Sequence, residues 1–130
     1  MTAPVTRDPR EIFNQPPPLA GYDPLGSDAA LTEALEREGG GWGVATVREF
    51  ALRAGSAAVL ELGELANRHP PILHIRDRFG RRRDEVEFHP AWHELMRMGV
   101  EAGLPRRPWA DPRPRAHAVR APLVMLRHQA

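Results

Sequence analysis

The hydrophobic positions of the first half of the chain fall into short segments with helical spacing. Each segment begins near a residue that can cap a helix: Ser27 or Asp28, Thr46, and Ser56. Glycines at 39–41, Gly55 and the pair Pro70-Pro71 should end the three helices. Their predicted buried positions are Leu31, Ala34 and Leu35; Val47, Phe50, Ala51 and Ala54; and Val59, Leu62, Leu65 and Ala66. Thr46 with Glu49 also fits a capping box.

The pattern changes to two extended runs after Pro71. Residues 72–76 and 84–88 flank a segment, 77–80, that ends in Gly80. This arrangement predicts a β-hairpin at about residues 72–88 with the glycine in its turn. The second run alternates acidic and apolar residues, so one face of the hairpin should be wet.

Two further segments with helical spacing follow the predicted hairpin. Pro90 suits the first position of a helix that should close at Gly103 and bury Trp92, Leu95, Met96 and Gly99. Residues 104–115, which surround Trp109, are predicted to form a loop. From residue 116 onward, helical spacing returns at Val119, Leu123 and Leu126, and no capping residue or glycine closes it, so we expect the sequence to stop inside a helix. Pro122 costs about 3 kcal/mol in a helix interior, which predicts a kink or a late start.

An extended arm is predicted before the first helix. Three successive prolines, Pro16-Pro17-Pro18, hold the backbone extended, and apolar anchors lie on both sides of them: Ile12, Phe13, Leu19, Tyr22 and Leu25. The predicted organisation is an arm over residues 1–26, a helical domain over 27–115 and the start of another helix over 116–130. The fold class is therefore mainly α with a small β-hairpin, or α+β if the hairpin gains a partner strand.

Composition narrows the possible functions without selecting one. The 130 residues suffice for one ordinary domain, and the formal charge of +1 creates no global field for nucleic acid or membrane. All 18 basic residues are arginine. The absence of cysteine excludes disulfides and thiolate sites and is compatible with a reducing cytoplasm. No segment approaches the roughly 20 apolar residues of a membrane span.

The histidines are the first group of side chains that could carry chemistry. His89 and His93 are four residues apart, the spacing at which a helix offers two imidazoles to one metal, and His69 and His74 could add ligands. The simpler interpretation is that His89 precedes the helix and caps it, so that the two rings point in different directions, and we assign no metal ligand. Neighbouring carboxylates such as Asp84 and Glu85 point to opposite faces of a strand, so no acid and base pair is predicted there.

Arginines form two clusters, one on the predicted hairpin and one beside Trp109. The first contains Arg76, Arg78, Arg81, Arg82 and Arg83, and the second Arg106, Arg107, Arg113 and Arg115. Arg81, Arg82 and Arg83 are the candidate nucleic-acid contacts. Acidic residues alternate with the hairpin cluster, so ion pairs at the hairpin tip are the simpler interpretation.

Several long segments of the sequence resemble one family in order and spacing. They are Asn14-Gln15-Pro16-Pro17-Pro18-Leu19, EALEREG at 33–39, ELGELANRHPP at 61–71, RDRFGRRRDEVEFHPAWHELM at 76–96 and HAVRA at 117–121. Together they resemble the N-terminal region of AidB-type flavoproteins, the adaptive-response branch of the acyl-CoA dehydrogenase class. The resemblance covers nearly all of the chain from about Phe13 onward.

The resemblance implies a cytoplasmic parent several times longer than this chain. Such a parent would be an oxidoreductase on CH–CH bonds that contains FAD, forms a tetramer, binds DNA and helps to resist alkylating agents. No flavin contact, catalytic carboxylate or DNA-binding residue of the family has a counterpart here, so we assign none. The leading hypothesis is an N-terminal segment for packing and oligomerisation of that flavoprotein. The alternative is a stand-alone arginine-rich nucleic-acid-binding module.

Overall fold

The computed structural model describes residues 15–127 and shows helices with one β-hairpin between them. The elements in chain order are α1 (Ala29–Arg37), α2 (Val44–Ala54), α3 (Ala57–Arg68), β1 (Ile72–Arg76), β2 (Arg82–Glu87), α4 (Pro90–Glu101), α5 (Arg107–Ala110) and α6 (Ala116–Arg127). A short 3-10 turn, Gly41–Gly43, precedes α2. The predicted class, mainly α with a small hairpin, is confirmed. The α+β alternative required a partner strand for the hairpin, and the described residues contain no third strand.

Local capping signals explain where α1 and α3 begin. The Asp28 carboxylate accepts a hydrogen bond from the Leu31 amide at 2.9 Å, and the Ser56 hydroxyl accepts one from the Val59 amide at 3.4 Å. Each cap satisfies an amide that the first helical turn leaves open. Both predicted starts are confirmed.

The predicted capping box at the start of α2 is wrong. This helix begins at Val44, and its cap residue, Gly43, makes no side-chain hydrogen bond, so Thr46 lies inside the helix. The 3-10 turn instead runs straight into α2, with the Gly43 amide donating to the Gly40 carbonyl at 2.8 Å. Because the Val44 amide donates to the Gly41 carbonyl of the turn, the helix begins before Thr46, and the hydroxyl of that residue does not cap it.

The core is built around α6. Three side chains of this helix, Val119, Leu123 and Leu126, have 0% exposure. Helices α1, α2 and α5 pack against it. The buried core around α6 also contains residues of α1 and α2, together with Met98 of α4 and Leu104 after it. Those of α1 and α2 are Leu31, Leu35, Val47, Phe50, Ala51 and Ala54.

Helix α6 begins at Ala116 and continues through Pro122, so the predicted late start at that proline is wrong. A proline nitrogen carries no hydrogen, so residue 122 donates no bond to the carbonyl one turn before it. Pro122 is itself buried. So are Val119 before it and Leu123 and Leu126 after it. Their burial offsets the lost hydrogen bond.

Helices α3 and α4 pack together at the base of the hairpin, and the buried face of α4 differs from the predicted one. Ala91, Met98 and Gly99 are buried, whereas Trp92 and Met96 are only partly covered. Trp92 stacks on Phe88 at a ring-centroid distance of 4.2 Å. The segment predicted as a loop, 104–115, contains the one-turn helix α5.

The described part of the N-terminal arm reaches the body at a few points. The Gly21 amide donates to the Gly55 carbonyl at 2.7 Å, and Leu25 is buried in the core. Leu19, predicted as an anchor, is 71% exposed. Tyr22, a further predicted anchor, is partly buried. The last two, Ile12 and Phe13, lie outside the described residues, as does the end of the chain at 128–130. In the range that the structure describes, no helix has the length and apolar character to cross a membrane.

Candidate functional site

The hairpin exposes an apolar face that no described helix covers. β1 and β2 are antiparallel, with Leu73 opposite Val86. Since alternate residues of a strand share a face, Ile75 lies on the same side as Leu73. The exposed fractions of Leu73, Ile75 and Val86 are 57%, 55% and 46%. We call these three side chains the apolar hairpin face.

The opposite face of the hairpin is mostly polar, as the alternation in β2 predicts, although Ile72, 56% exposed, also lies on it. His74 lies opposite Glu85, and its Nε2 is 2.7 Å from an Oε of Glu87. The register shifts between His74 and Arg76, and Asp84 has a φ of 50° in the strand opposite. An extra residue in one strand, with one residue in the left-handed region, is the geometry of a β-bulge. The sequence predicts that the polar face is exposed to solvent, but it does not predict that the apolar face is exposed as well.

The candidate nucleic-acid residues sit near the tip of the hairpin among acidic partners. Arg82 forms an ion pair with Asp84, and Arg83 forms one with Glu85. The Arg81 guanidinium lies 5.8 Å from the centre of the Phe79 ring. Because carboxylates next to two of the three arginines offset their charge, the hairpin offers no strong positive field for phosphates.

The two histidines of the candidate metal pair have different neighbours. His89 caps α4, with its Nδ1 accepting from the Ala91 amide at 3.2 Å, and its ring stacks on His69 at 4.7 Å. His93 is exposed and meets the Trp92 ring edge-on at 5.3 Å. Among residues 15–127 no three His, Asp or Glu side chains come together in a group able to hold a metal.

A cluster that sequence reasoning missed joins the glycine-rich turn to the loop before α6. The Trp42 indole N–H donates to the Pro114 carbonyl at 3.1 Å, and the Arg113 guanidinium lies 3.7 Å from the centre of the Trp42 ring. Asp111 in turn accepts two bonds from that guanidinium, at 2.9 and 2.7 Å. Trp42 is partly buried and packs against the core, whereas Trp109 is 81% exposed.

Asp111 gives the cluster a pH dependence. The Arg113 side chain, followed by its backbone N–H and the charge of Arg107, lowers the pKa of Asp111 from 3.8 to about 2. A depressed carboxyl pKa contributes stability that is fully present above 3.8 and is lost as the pH falls through about 2. We expect Asp111→Asn to lower the urea midpoint at pH 5, with the difference from the wild-type chain shrinking toward pH 2. A constant difference over this range would contradict the assignment.

A mostly covered arginine, Arg107, lines a cleft between α2, α4 and α5. Arg107 is 15% exposed, donates to the Ala102 carbonyl at 2.9 Å and lies 3.7 Å from Asp111. Across the cleft, Arg53 pairs with Glu101 at 3.3 Å. These bonds tie α5 to the end of α4, and α2 to α4.

Comparison with known proteins supplies the context for this geometry. The model of the family described as "Adaptive response protein AidB N-terminal domain" matches residues 14–130. The chain is 44% identical over 119 residues to "Putative acyl-CoA dehydrogenase AidB" of Escherichia coli (strain K12). That match covers 91% of this chain and 22% of the relative, so the chain spans about a fifth of the relative's length.

Two solved structures share the fold. One is ACDH-11 of Caenorhabditis elegans in complex with C11-CoA, with a TM-score of 0.70, 19% identity, and coverage of 93% of this chain and 21% of that one. The other is the apo-form of Bd2924, with a TM-score of 0.69, 19% identity, and coverage of 83% and 22%. In both, the similar part is a fraction of a longer chain.

Proposed function

The chain belongs to the adaptive response protein AidB N-terminal domain family, and from this premise we propose that it is the N-terminal packing and oligomerisation segment of an acyl-CoA dehydrogenase-like flavoprotein. The division into an arm (1–26), a helical domain (27–115) and the opening of a further helix (116–130) belongs to the proposal. The segment would act by attaching to the rest of such a protein rather than by catalysis of its own.

One observation carries the proposal: the apolar hairpin face is open to solvent. A two-stranded hairpin is marginally stable alone and normally needs more strands or a packed layer. Leu73, Ile75 and Val86 are each about half exposed, although their alternation with polar residues is that of a strand with one covered face. A cover supplied by the rest of the parent would remove apolar surface that is costly to leave in water.

The remaining features of the parent belong to the same proposal. The E. coli relative carries acyl-CoA dehydrogenase in its name. We propose that FAD and the chemistry of that class lie in the part of the parent that this chain does not span. Assembly as a tetramer in the cytoplasm, DNA binding and a role against alkylation damage would likewise be properties of the parent. The ion pairs of Arg82 and Arg83 disfavour the hairpin as a stand-alone nucleic-acid module.

The test is binding between this chain and E. coli AidB that lacks its matching segment. We expect the two to form a complex and Leu73→Ser with Val86→Ser to weaken it at least tenfold, because covering the exposed half of each side chain is worth about 0.7 kcal/mol or more, and about 1.4 kcal/mol is a factor of ten. Titration calorimetry would measure the affinity. The matched control is Leu52→Ser, which removes another half-exposed leucine, 50% exposed, on α2. Equal losses in both variants, or no complex with the wild-type chain, would contradict the proposal.

A further inference from the structure

The two outer edges of the hairpin differ in their readiness to pair with another strand. β2 carries charged residues along most of its length, Arg82, Arg83, Asp84, Glu85 and Glu87, and the bulge at Asp84 twists it. Charges and bulges are the devices by which edge strands avoid pairing. β1 has the sequence Ile-Leu-His-Ile-Arg, and the extra residue of the bulge lies in β2. The edge of β1 is therefore the one left open for pairing.

The direction of the main-chain groups on β1 follows from the turn. The Asp77 amide donates to the Arg81 carbonyl at 2.9 Å, so it points toward the second strand. Amides of alternate residues in an antiparallel strand point to opposite sides. Those of Leu73 and Ile75 therefore face β2, and those of Ile72, His74 and Arg76 face outward.

We propose that β1 pairs with β1 of a second copy of this chain, antiparallel and centred on His74. In this register all five residues of each strand find a partner, and the outward amides of Ile72, His74 and Arg76 meet outward carbonyls of the copy. Leu73 then lies directly opposite Ile75 of the second copy in a non-hydrogen-bonded pair, where side chains approach most closely.

The charges of the polar face also match in this register. Arg76 of the copy stands beside Ile72, in the same row as Glu87, and the two His74 side chains at the symmetry axis are flanked by Glu85 and Glu87. Two-fold pairing repeats each contact, as isologous dimers do. The result is a four-stranded sheet in which the apolar hairpin faces of both copies join.

This inference rests on the proposed function, because the joined apolar face is the surface that would dock on the parent. Dimer formation and docking can nevertheless be measured apart. A chain that dimerises through β1 without binding the AidB remainder contradicts the proposed function and supports the pairing. A chain that binds the remainder but stays monomeric overturns the pairing.

The experiment is sedimentation equilibrium of the 130-residue chain and two proline variants. His74→Pro removes an outward amide of β1, and Glu87→Pro removes an outward amide of β2, because Glu87 pairs with Ile72. Both variants also delete the contact between His74 and Glu87. We expect a wild-type dimer, at least a tenfold weaker dimer for His74→Pro, and a dimer of wild-type strength for Glu87→Pro. A chain that stays monomeric up to about 1 mM would overturn the pairing, as would equal effects of both variants.

A measurement on the unmodified chain covers the case in which His74→Pro unfolds the hairpin. Residue-resolved hydrogen exchange should show protection of the Ile72, His74 and Arg76 amides that rises with protein concentration. The Glu85 and Glu87 amides should show no such rise. Concentration-independent exchange on β1, or the same rise on both strands, would overturn the proposal.

Discussion

Leu123→Ala is expected to destabilise the chain by about 3 kcal/mol, within the range of roughly 2–5 kcal/mol for buried leucines. Leu123 has 0% exposure and lies in the middle of α6, the helix around which the core is built. Truncation would remove apolar contacts and leave a cavity between α6 and α2, which pack together. Domains of this size are stable by only about 5–15 kcal/mol, so a large fraction of the variant could be unfolded at moderate urea.

The measurement is urea unfolding followed by far-UV circular dichroism. Met125→Ala serves as the control, since Met125 is on the same helix and is 55% exposed. Like Leu123→Ala, it replaces a long apolar residue of α6 by alanine, a good helix former. It should change the free energy of unfolding by no more than about 0.5 kcal/mol. If both variants lost equal stability, α6 would not have the buried face described above.

Gly43→Ala is expected to cost about 2 kcal/mol because of close packing rather than backbone conformation. A Cβ atom at this position would lie 2.5 and 2.7 Å from the two γ-carbons of Val119. Val119 has 0% exposure and a β-branched side chain, so it cannot rotate away without displacing its neighbours. The φ of Gly43 is −98°, which alanine adopts readily, so backbone strain does not contribute.

Gly41→Ala is the matched control in the same turn. The nearest atom to a Cβ at position 41 is the Glu36 γ-carbon at 3.9 Å, an ordinary contact. Thermal unfolding should place this variant close to the wild-type chain and the Gly43 variant several degrees lower. The reverse order would mean that α6 does not approach the turn as closely as the structure shows.

The sequence predicts those elements that are determined by neighbouring residues. Asp28 and Ser56 cap helices, Pro70 stops one and Gly80 turns the hairpin, because each acts within a few residues along the chain. The capping box at Thr46 fails because the 3-10 turn at Gly41–Gly43 leads directly into the helix, which begins two residues earlier, at Val44. Local chemistry gives the alternatives, and packing selects among them.

The features missed from the sequence depend on contacts between distant residues. Trp42 and Pro114 are 72 residues apart, and no local pattern links Arg113 to that indole ring. On α4, Met96 and Met98 belong to different faces, and the way α4 packs on the core decides that Met98 is the buried one. The candidate site shows the same division, because alternation identifies the apolar face of the hairpin but cannot tell whether anything covers it.

The place of α6 in the core also has a consequence for biosynthesis. The ribosome makes α1 and α2 first, yet the side chains that fill the space between them come from Val119, Leu123 and Leu126. Early helices therefore emerge with exposed apolar faces and wait for most of the chain before they can pack. A chaperone that binds nascent chains would bind the exposed apolar faces of α1 and α2. The chain would leave the chaperone when α6 appears outside the exit tunnel.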